Sequence, residues 1–325
     1  MYNYFIIFSE ESVIYKISAE ESGKTVKEIL RYGVGLSLAF TKQLKFLDNG
    51  IMLNGERVTV RKTVNEGDIL FLATEDVQRS NVLTPTELPL DIAYEDEYIV
   101  LPNKSAQMPT HPSHNHRGDT LADALAYKYN QEEIPFVFRA ISRLDKNTSG
   151  ILLIAKDRIS ASHLSESMKS GNITKKYIAI LDGELNSAEG TIDTYIKREA
   201  ESIIFRKVCN ADEGGDRAIT EYKVLATENG YSLVLASPIT GRTHQLRVHF
   251  SYMGAPILGD DMYGRSSSLI SRHALHALSL SFVHPRTQET LSISAPPSED
   301  MAELIIKLFG ENALRDIAKQ AQNKL

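Results

Sequence analysis

The sequence predicts an α+β protein in two parts, and three observations predict it. Residues 1–75 alternate helical apolar spacing with short strand-like runs. Residues 76–89 are poor in apolar side chains and contain Ser80, Asn81, Thr84, Pro85, Thr86 and Pro89, the composition of a linker. From Leu90 to the end the chain reads as apolar strands separated by loops, closed by two helices. At 325 residues it is long enough for one large core and a smaller second one. Its 42% apolar and 24% charged residues are those of an ordinary globular protein.

Each element has a local reason. Val26, Ile29 and Leu30 share a helical face over 25–31, and Phe40, Leu44 and Leu47 share one over 36–47, stopped by Asn49-Gly50. Asn54-Gly55 between apolar runs at 51–53 and 57–60 predicts a hairpin with a primed turn, and a strand over 68–72 follows. Beyond the linker, strands are predicted over 91–94 and 98–101, about the acidic turn 95–97. A loop carrying His111, His114 and His116 comes next. It lacks the helix or strand frame and the carboxylate or thiolate company of a metal site, so no metal is assigned. A helix over 120–129 with Asp119 as cap is expected, then a strand over 151–155, a helix over 159–170 and a strand entered through Lys175-Lys176-Tyr177. Strands over 218–226, 231–236 and 290–295, an apolar-rich stretch over 273–282 broken by His284-Pro285, and helices over 299–309 and 312–319 complete the chain.

Charge and cysteine usage bound the function. The formal charge of −6 argues weakly against nucleic acid, whose affinity rests on neutralising phosphates. The charges segregate, however: basic residues crowd at 139–146, 175–176 and 242–247, and local patches decide contact. Cys209 is the single cysteine, so no intrachain disulfide forms. No early apolar run has the length of a signal peptide core and none has membrane-spanning length, so the expected location is the cytoplasm.

The chemistry concentrates on Arg143-Leu144-Asp145. Taken alone this tripeptide reads first as a charged surface turn. It stands, however, at the head of Asn147-Thr148-Ser149-Gly150 and an apolar strand, which presents a carboxylate at the mouth of a buried element. Two other segments join it: Lys175-Lys176-Tyr177, and the run from Thr240 to His249, which reads TGRTHQLRVH. Guanidinium and imidazole donors suit phosphates, a tyrosine ring suits a base, and an aspartate suits chemistry on a sugar, so RNA is the partner these residues fit.

From Leu90 to Pro297 the chain resembles the RluA-type pseudouridine synthases. Six blocks carry the resemblance in the family's order: YEDEYIVLPNK, MPTHPS, SRLDKNTSGILLIAKD, KKYIAILDGEL, TGRTHQLRVHFSYMGAPILGDDMYG and RHALHALSLSFVHP. Residues 14–75 resemble the S-four-type RNA-binding domain, a small alpha-L module, through TKQLKFLDNG, IMLNGERVTV and VNEGDIL. The resemblance implies an RNA-binding domain over 1–75, a linker over 76–89 and a catalytic domain over 90–325 built on a mixed, mainly antiparallel sheet. It implies an isomerase that detaches uracil from ribose and rejoins it through a ring carbon, without cofactor or metal. Asp145 matches the catalytic aspartate, as nucleophile at the anomeric carbon or as base at the neighbouring one. Arg247 matches its arginine partner, and Tyr177 the tyrosine that packs on the target base, with proton removal as a secondary role. Arg143, Arg242, His244 and Gln245 are expected RNA contacts, Arg143 filling the space left by an extruded nucleotide. Large-subunit ribosomal RNA is the expected substrate, with transfer RNA the alternative, and neither a membrane nor an obligate protein partner is expected. A non-catalytic RNA-binding factor on the same scaffold is the rival reading; it calls for loss of the Asp, Tyr or Arg, and all three are present. The chain departs from the pattern at Ser142, where many members have His, and over 101–107, where LPNKSAQ replaces V-x-N-K-P-A-G.

Overall fold

The computed structural model describes residues 6–8, 12–36, 38–73, 83–113, 115–202 and 204–322. The described residues up to 73 carry a five-stranded sheet. Its strands are β1 (Ile6–Phe8), β2 (Ser12–Lys16), β3 (Ile51–Leu53), β4 (Glu56–Arg57) and β5 (Ile69–Ala73), in the order β1-β2-β5-β3-β4. One helical turn, α1 (Val26–Glu28), widens into a π-turn (Ile29–Gly33) and is followed by α2 (Leu38–Leu44). The start of α1 is fixed by a capping box: Thr25 Oγ1 accepts from Glu28 N, and the Glu28 carboxylate accepts from Thr25 N at 2.7 Å. The second strand of the predicted hairpin is only two residues long, for a definite reason. The carbonyls of Val60 and Lys62 accept from Lys27 N and Val26 N, the donors a helix start leaves unpaired, and so leave the sheet.

From residue 91 a mixed sheet of twelve strands takes over. In chain order its elements are β6 (Asp91–Glu95), β7 (Ile99–Lys104), α3 (Leu121–Gln131), β8 (Arg139–Ala140), β9 (Ser149–Ile151), β10 (Ile154–Ala155), α4 (Arg158–Lys169), β11 (Thr174–Asp182), β12 (Glu189–Arg198), β13 (Arg206–Cys209), β14 (Asp216–Glu228), β15 (Tyr231–Pro238), α5 (Gln245–Tyr252), β16 (Leu275–Val283), β17 (Thr290–Ser294), α6 (Glu299–Phe309) and α7 (Glu311–Gln322). The main path runs β13-β12-β14-β15-β11-β16-β9-β7-β10-β8; β17 pairs with β16, and β6 with β7. Among the described residues β16 and β9 are the one parallel pair. Gly150 lies in that pair with φ +111°, and a Cβ there would meet the Ala277 carbonyl oxygen at 2.2 Å, so only glycine fits.

The structure revises several expectations. The strand predicted over 151–155 is interrupted: β9 and β10 pair with opposite ends of β7, and the break at Leu152-Leu153 lies opposite Pro102, which has no N–H to give the ladder. The helix α3 is capped by Thr120, not Asp119. Thr120 Oγ1 accepts from Asp123 N and the Asp123 carboxylate accepts from Thr120 N, while Asp119 is engaged by His116 Nδ1 at 2.6 Å. Asp123 also accepts from Thr84 N at 2.8 Å, which ties the described end of the 76–89 segment, without regular structure, to α3; residues 74–82 lie outside the described residues. The β12–β13 hairpin has no counterpart in the sequence reading, because its exposed, charge-rich edge shows little apolar alternation.

The five-stranded part packs against α4. Ile159 joins the core of Val26, Leu30, Leu44 and Leu70, and His163 Nε2 donates to the Val34 carbonyl at 2.6 Å. Arg31 pairs with Glu166 at 2.6 Å, and the Arg158 guanidinium sits 5.5 Å from the centre of the Phe40 ring.

Candidate active site

Asp145 lies in the loop between β8 and β9, and the carbonyls of residues 144–147 are each engaged. Thr110 Oγ1 donates to Leu144 O at 2.9 Å, and Thr148 N to Asp145 O at 3.0 Å. Lys104 Nζ donates to Lys146 O at 3.0 Å, and Arg272 Nη1 to Asn147 O at 3.0 Å. Lys104 itself is buried, and its ammonium also donates to Ser105 O and Met108 O, both at 2.8 Å. Burial first, and the Arg272 charge second, push its pKa down to about 7, against the pull of Asp145. Thr148 Oγ1 meets His273 Nε2 at 2.7 Å. Four buried groups from two distant segments, 104–110 and 272–273, thus hold the loop in one shape, and the Asp145 side chain keeps 25% of its surface exposed.

Arg247 reaches this carboxylate from α5. Its Nη1 lies 3.4 Å from Asp145 Oδ2, while Nε and Nη2 grip both oxygens of Asp260 at 2.7 Å each. Asp260 is fully buried, and its Oδ1 also accepts from Met262 N and Tyr263 N. Burial opposes the charged guanidinium, yet the hydrogen bonds and charge of Asp260, joined by Asp145, leave its pKa raised. One arginine therefore stands between two carboxylates, with its planar fork committed to the buried one and a single remaining nitrogen aimed at the exposed one.

Tyr177 sits on β11 at a bulge, where the register against β16 shifts between Lys176 and Tyr177. It packs against both halves of the large core. Burial first and the Asp145 charge second hold its phenol pKa far above the usual value, so the hydroxyl keeps its proton. His244 has φ 59°, in the left-handed region, and places Nε2 3.8 Å from Asp145 Oδ2. Asp145, Tyr177 and the pair His244 and Arg247 come from three segments of the chain, and Asp145 is what the others share.

The profile of the RNA pseudouridylate synthase family matches residues 98–252. The uncharacterized RNA pseudouridine synthase YjbO of Bacillus subtilis (strain 168) is 38% identical over 288 residues, which span 89% of this chain and 99% of that one. The chain belongs to the RNA pseudouridine synthases. The synthase is also 36% identical to the ribosomal large subunit pseudouridine synthase D of Borreliella burgdorferi, over 67% of this chain and 68% of the relative. Among solved structures, human RNA pseudouridylate synthase domain containing 1 superposes with a TM-score of 0.53 at 30% identity, covering 64% of this chain and 83% of that one. Family membership makes the synthase an isomerase, and its mainly antiparallel sheet is the architecture expected from sequence.

The expected site residues separate into three groups. Asp145, Arg247, Tyr177 and His244 are brought together. Arg143 and Arg242 remain exposed at its edge, Arg242 Nε donating to Arg217 O at 3.1 Å. Gln245 was expected as an RNA contact, and the structure corrects this. It is buried, its Oε1 accepts from Thr240 Oγ1 and Arg242 N, and its Nε2 donates to Ile219 O and Thr220 Oγ1, so no donor or acceptor is left for RNA. The segment 245–252 is a helix, which turns Gln245 inward with Arg247 and His249. Sequence reasoning missed Asp260, Lys104, Thr110, Arg272 and His273. All five lie inside the six family blocks, which was the available signal; their partners are set only by the fold. Gln107, where the family pattern has Gly, adopts φ 66° and carries the backbone strain glycine would avoid. Among the described residues no three His, Cys, Asp or Glu side chains gather as a metal site, and no helix is long and apolar enough to cross a membrane.

Proposed function

We propose that this synthase isomerises uridine in large-subunit ribosomal RNA, with Asp145 acting on the ribose of a nucleotide extruded into the cleft beside Tyr177. The observation that carries this reading is the partly exposed Asp145 carboxylate held by a guanidinium that Asp260 fixes in place. Attack on the anomeric carbon and removal of the adjacent proton both start from this carboxylate. The protonated phenol of Tyr177 favours packing on the uracil over proton removal. Arg143, exposed beside Asp145, supports the filling of the vacated stack, and unstacking a base costs about a few kcal/mol that such contacts offset. Arg242 is the surface guanidinium available to phosphate.

The N-terminal sheet and helices supply a second RNA surface in this reading. Lys27, Arg31, Lys42 and Lys45 line a groove with Leu38 and Phe46, and Phe46 and Tyr32 are 78% and 84% exposed. Cations interleaved with exposed rings suit a structured RNA backbone. Large-subunit ribosomal RNA is favoured over transfer RNA by the relatives named as ribosomal large subunit pseudouridine synthases. Mapping pseudouridines in ribosomal and transfer RNA from cells lacking the protein, with and without restored wild-type or Asp145→Asn chain, tests the reading. The expected result is ribosomal sites lost in the deletion and restored only by the wild type; loss confined to transfer RNA would overturn the substrate.

A further inference from the structure

Tyr263 stands behind both groups that touch Asp145. Its ring lies under the Arg247 guanidinium, 5.1 Å from Cζ to centroid. Its hydroxyl is 2.9 Å from the backbone nitrogen of Arg206 and 2.8 Å from Nδ1 of His244. A backbone N–H can only donate, so the phenol oxygen accepts from Arg206. Burial raises the Tyr263 pKa, so the phenol keeps its own proton, and the nearby ring nitrogen is the acceptor for it. His244 is neutral, because burial lowers its pKa more than Asp145 raises it. With Nδ1 accepting, the single imidazole proton stands on Nε2, the nitrogen that faces Asp145 Oδ2 at 3.8 Å. Arg247 Nη1 approaches the same oxygen at 3.4 Å. The left-handed backbone of His244 is a cost of about 1 kcal/mol for a residue with a Cβ, borne at the position whose ring faces the aspartate.

We infer that the Arg206 N–H, Tyr263 and His244 form a fixed hydrogen-bond relay that directs the Nε2–H of His244 onto Oδ2 of Asp145, leaving Oδ1 as the oxygen presented to the ribose. The inference rests on the reading of Asp145 as the reacting carboxylate. It replaces the expected phosphate contact of His244 with a positioning role, and it makes Tyr263 a positioning residue that acts through both His244 and Arg247. The Nε2 to Oδ2 separation is longer than a hydrogen bond in the free protein and closes when the nucleotide is seated, as catalytic contacts commonly do. The relay anchors the hairpin joining β12 and β13 to the site, since Arg206 begins β13 and Phe205 meets the Tyr263 ring edge-on at 5.9 Å between centroids.

The test uses the full chain labelled with nitrogen-15 histidine, with His244 assigned by comparison with His244→Gln. The relay requires a bare Nδ1 and a protonated Nε2 in the wild type without RNA, and loss of that single tautomer in Tyr263→Phe. With ribosomal RNA isolated from cells lacking the enzyme as probe, Tyr263→Phe should lower kcat about tenfold, the size of one misdirected hydrogen bond to a charged group, with KM unchanged. His244→Gln, which keeps an N–H donor at the Nε2 position, should retain more kcat than His244→Ala. A wild-type ring protonated at Nδ1 overturns the relay, and so does a Tyr263→Phe chain that loses only KM. Failure of the wild-type chain to isomerise that RNA overturns the substrate reading instead, while the tautomer, read without RNA, still decides the relay.

Discussion

Replacing Asp260 by Asn removes one charge from a fully buried pair and leaves the shape almost unchanged. Both oxygens of Asp260 accept from Arg247 at 2.7 Å, and an amide offers the guanidinium one acceptor and one opposed donor. Breaking a buried pair from one side costs about 3–5 kcal/mol. The Asn oxygen still serves Met262 N and Tyr263 N, which places the change near the lower end. At roughly 2–4 °C per kcal/mol for a domain of this size, the melting temperature should fall by roughly 6–12 °C. The released guanidinium leaves its seat and tilts toward Asp145, its one remaining carboxylate. A shift of about 1 Å at a reacting group costs about a hundredfold in rate. The reaction replaces the hydrogen on ring carbon five of uracil, so release of tritium from that carbon in a single turnover reads the rate directly. A folded Asp260→Asn chain with wild-type melting temperature and single-turnover rate would refute the account of Arg247 as a group positioned by Asp260.

The remaining predictions perturb other residues. Asp145→Asn should abolish tritium release with little change in melting temperature, because its side chain is partly exposed and its loop is held through backbone carbonyls; residual activity near wild type removes Asp145 from the chemistry. Lys42→Glu combined with Lys45→Glu should weaken RNA binding and flatten its dependence on salt, with the rate at saturating RNA preserved; an unchanged salt slope rules the groove out. Gln107→Gly should raise stability by up to about 1 kcal/mol in denaturant titration, since the left-handed backbone there disfavours a side chain; a loss of stability contradicts the strain. His249 and His276 are held down to about 4 by burial, below the ordinary value near 6.5, so the unfolded chain binds more protons between these limits. The stability they protect is complete above pH 6.5 and is lost as pH falls toward 4, and a melting temperature unchanged across that window would contradict it.

Much of the fold was legible because its signals are local. Helical spacing, Asn-Gly turns and apolar runs mark α2, α3, β11 and β16 without reference to the rest of the chain. The failures have non-local causes. Nothing near residue 152 says that Pro102 lies opposite and interrupts the strand, and nothing near residue 60 says that its carbonyl serves a helix start. Asp119 and Thr120 are both cap residues in sequence; Thr120 takes the place with Asp123 completing its box, while Asp119 is engaged by His116.

The site divides the same way. By itself the sequence determined which blocks carry chemistry, since an aspartate, a tyrosine and an arginine in family order need no coordinates to be recognised. Only the tertiary structure decided what each does: Gln245 faces inward, Asp260 grips Arg247, and Tyr263 reaches His244. Hydrogen bonds are short and directional, so a partner's identity depends on ångström-scale placement between residues that lie far apart in the chain. Residue type sets what a side chain offers; the fold sets what accepts it.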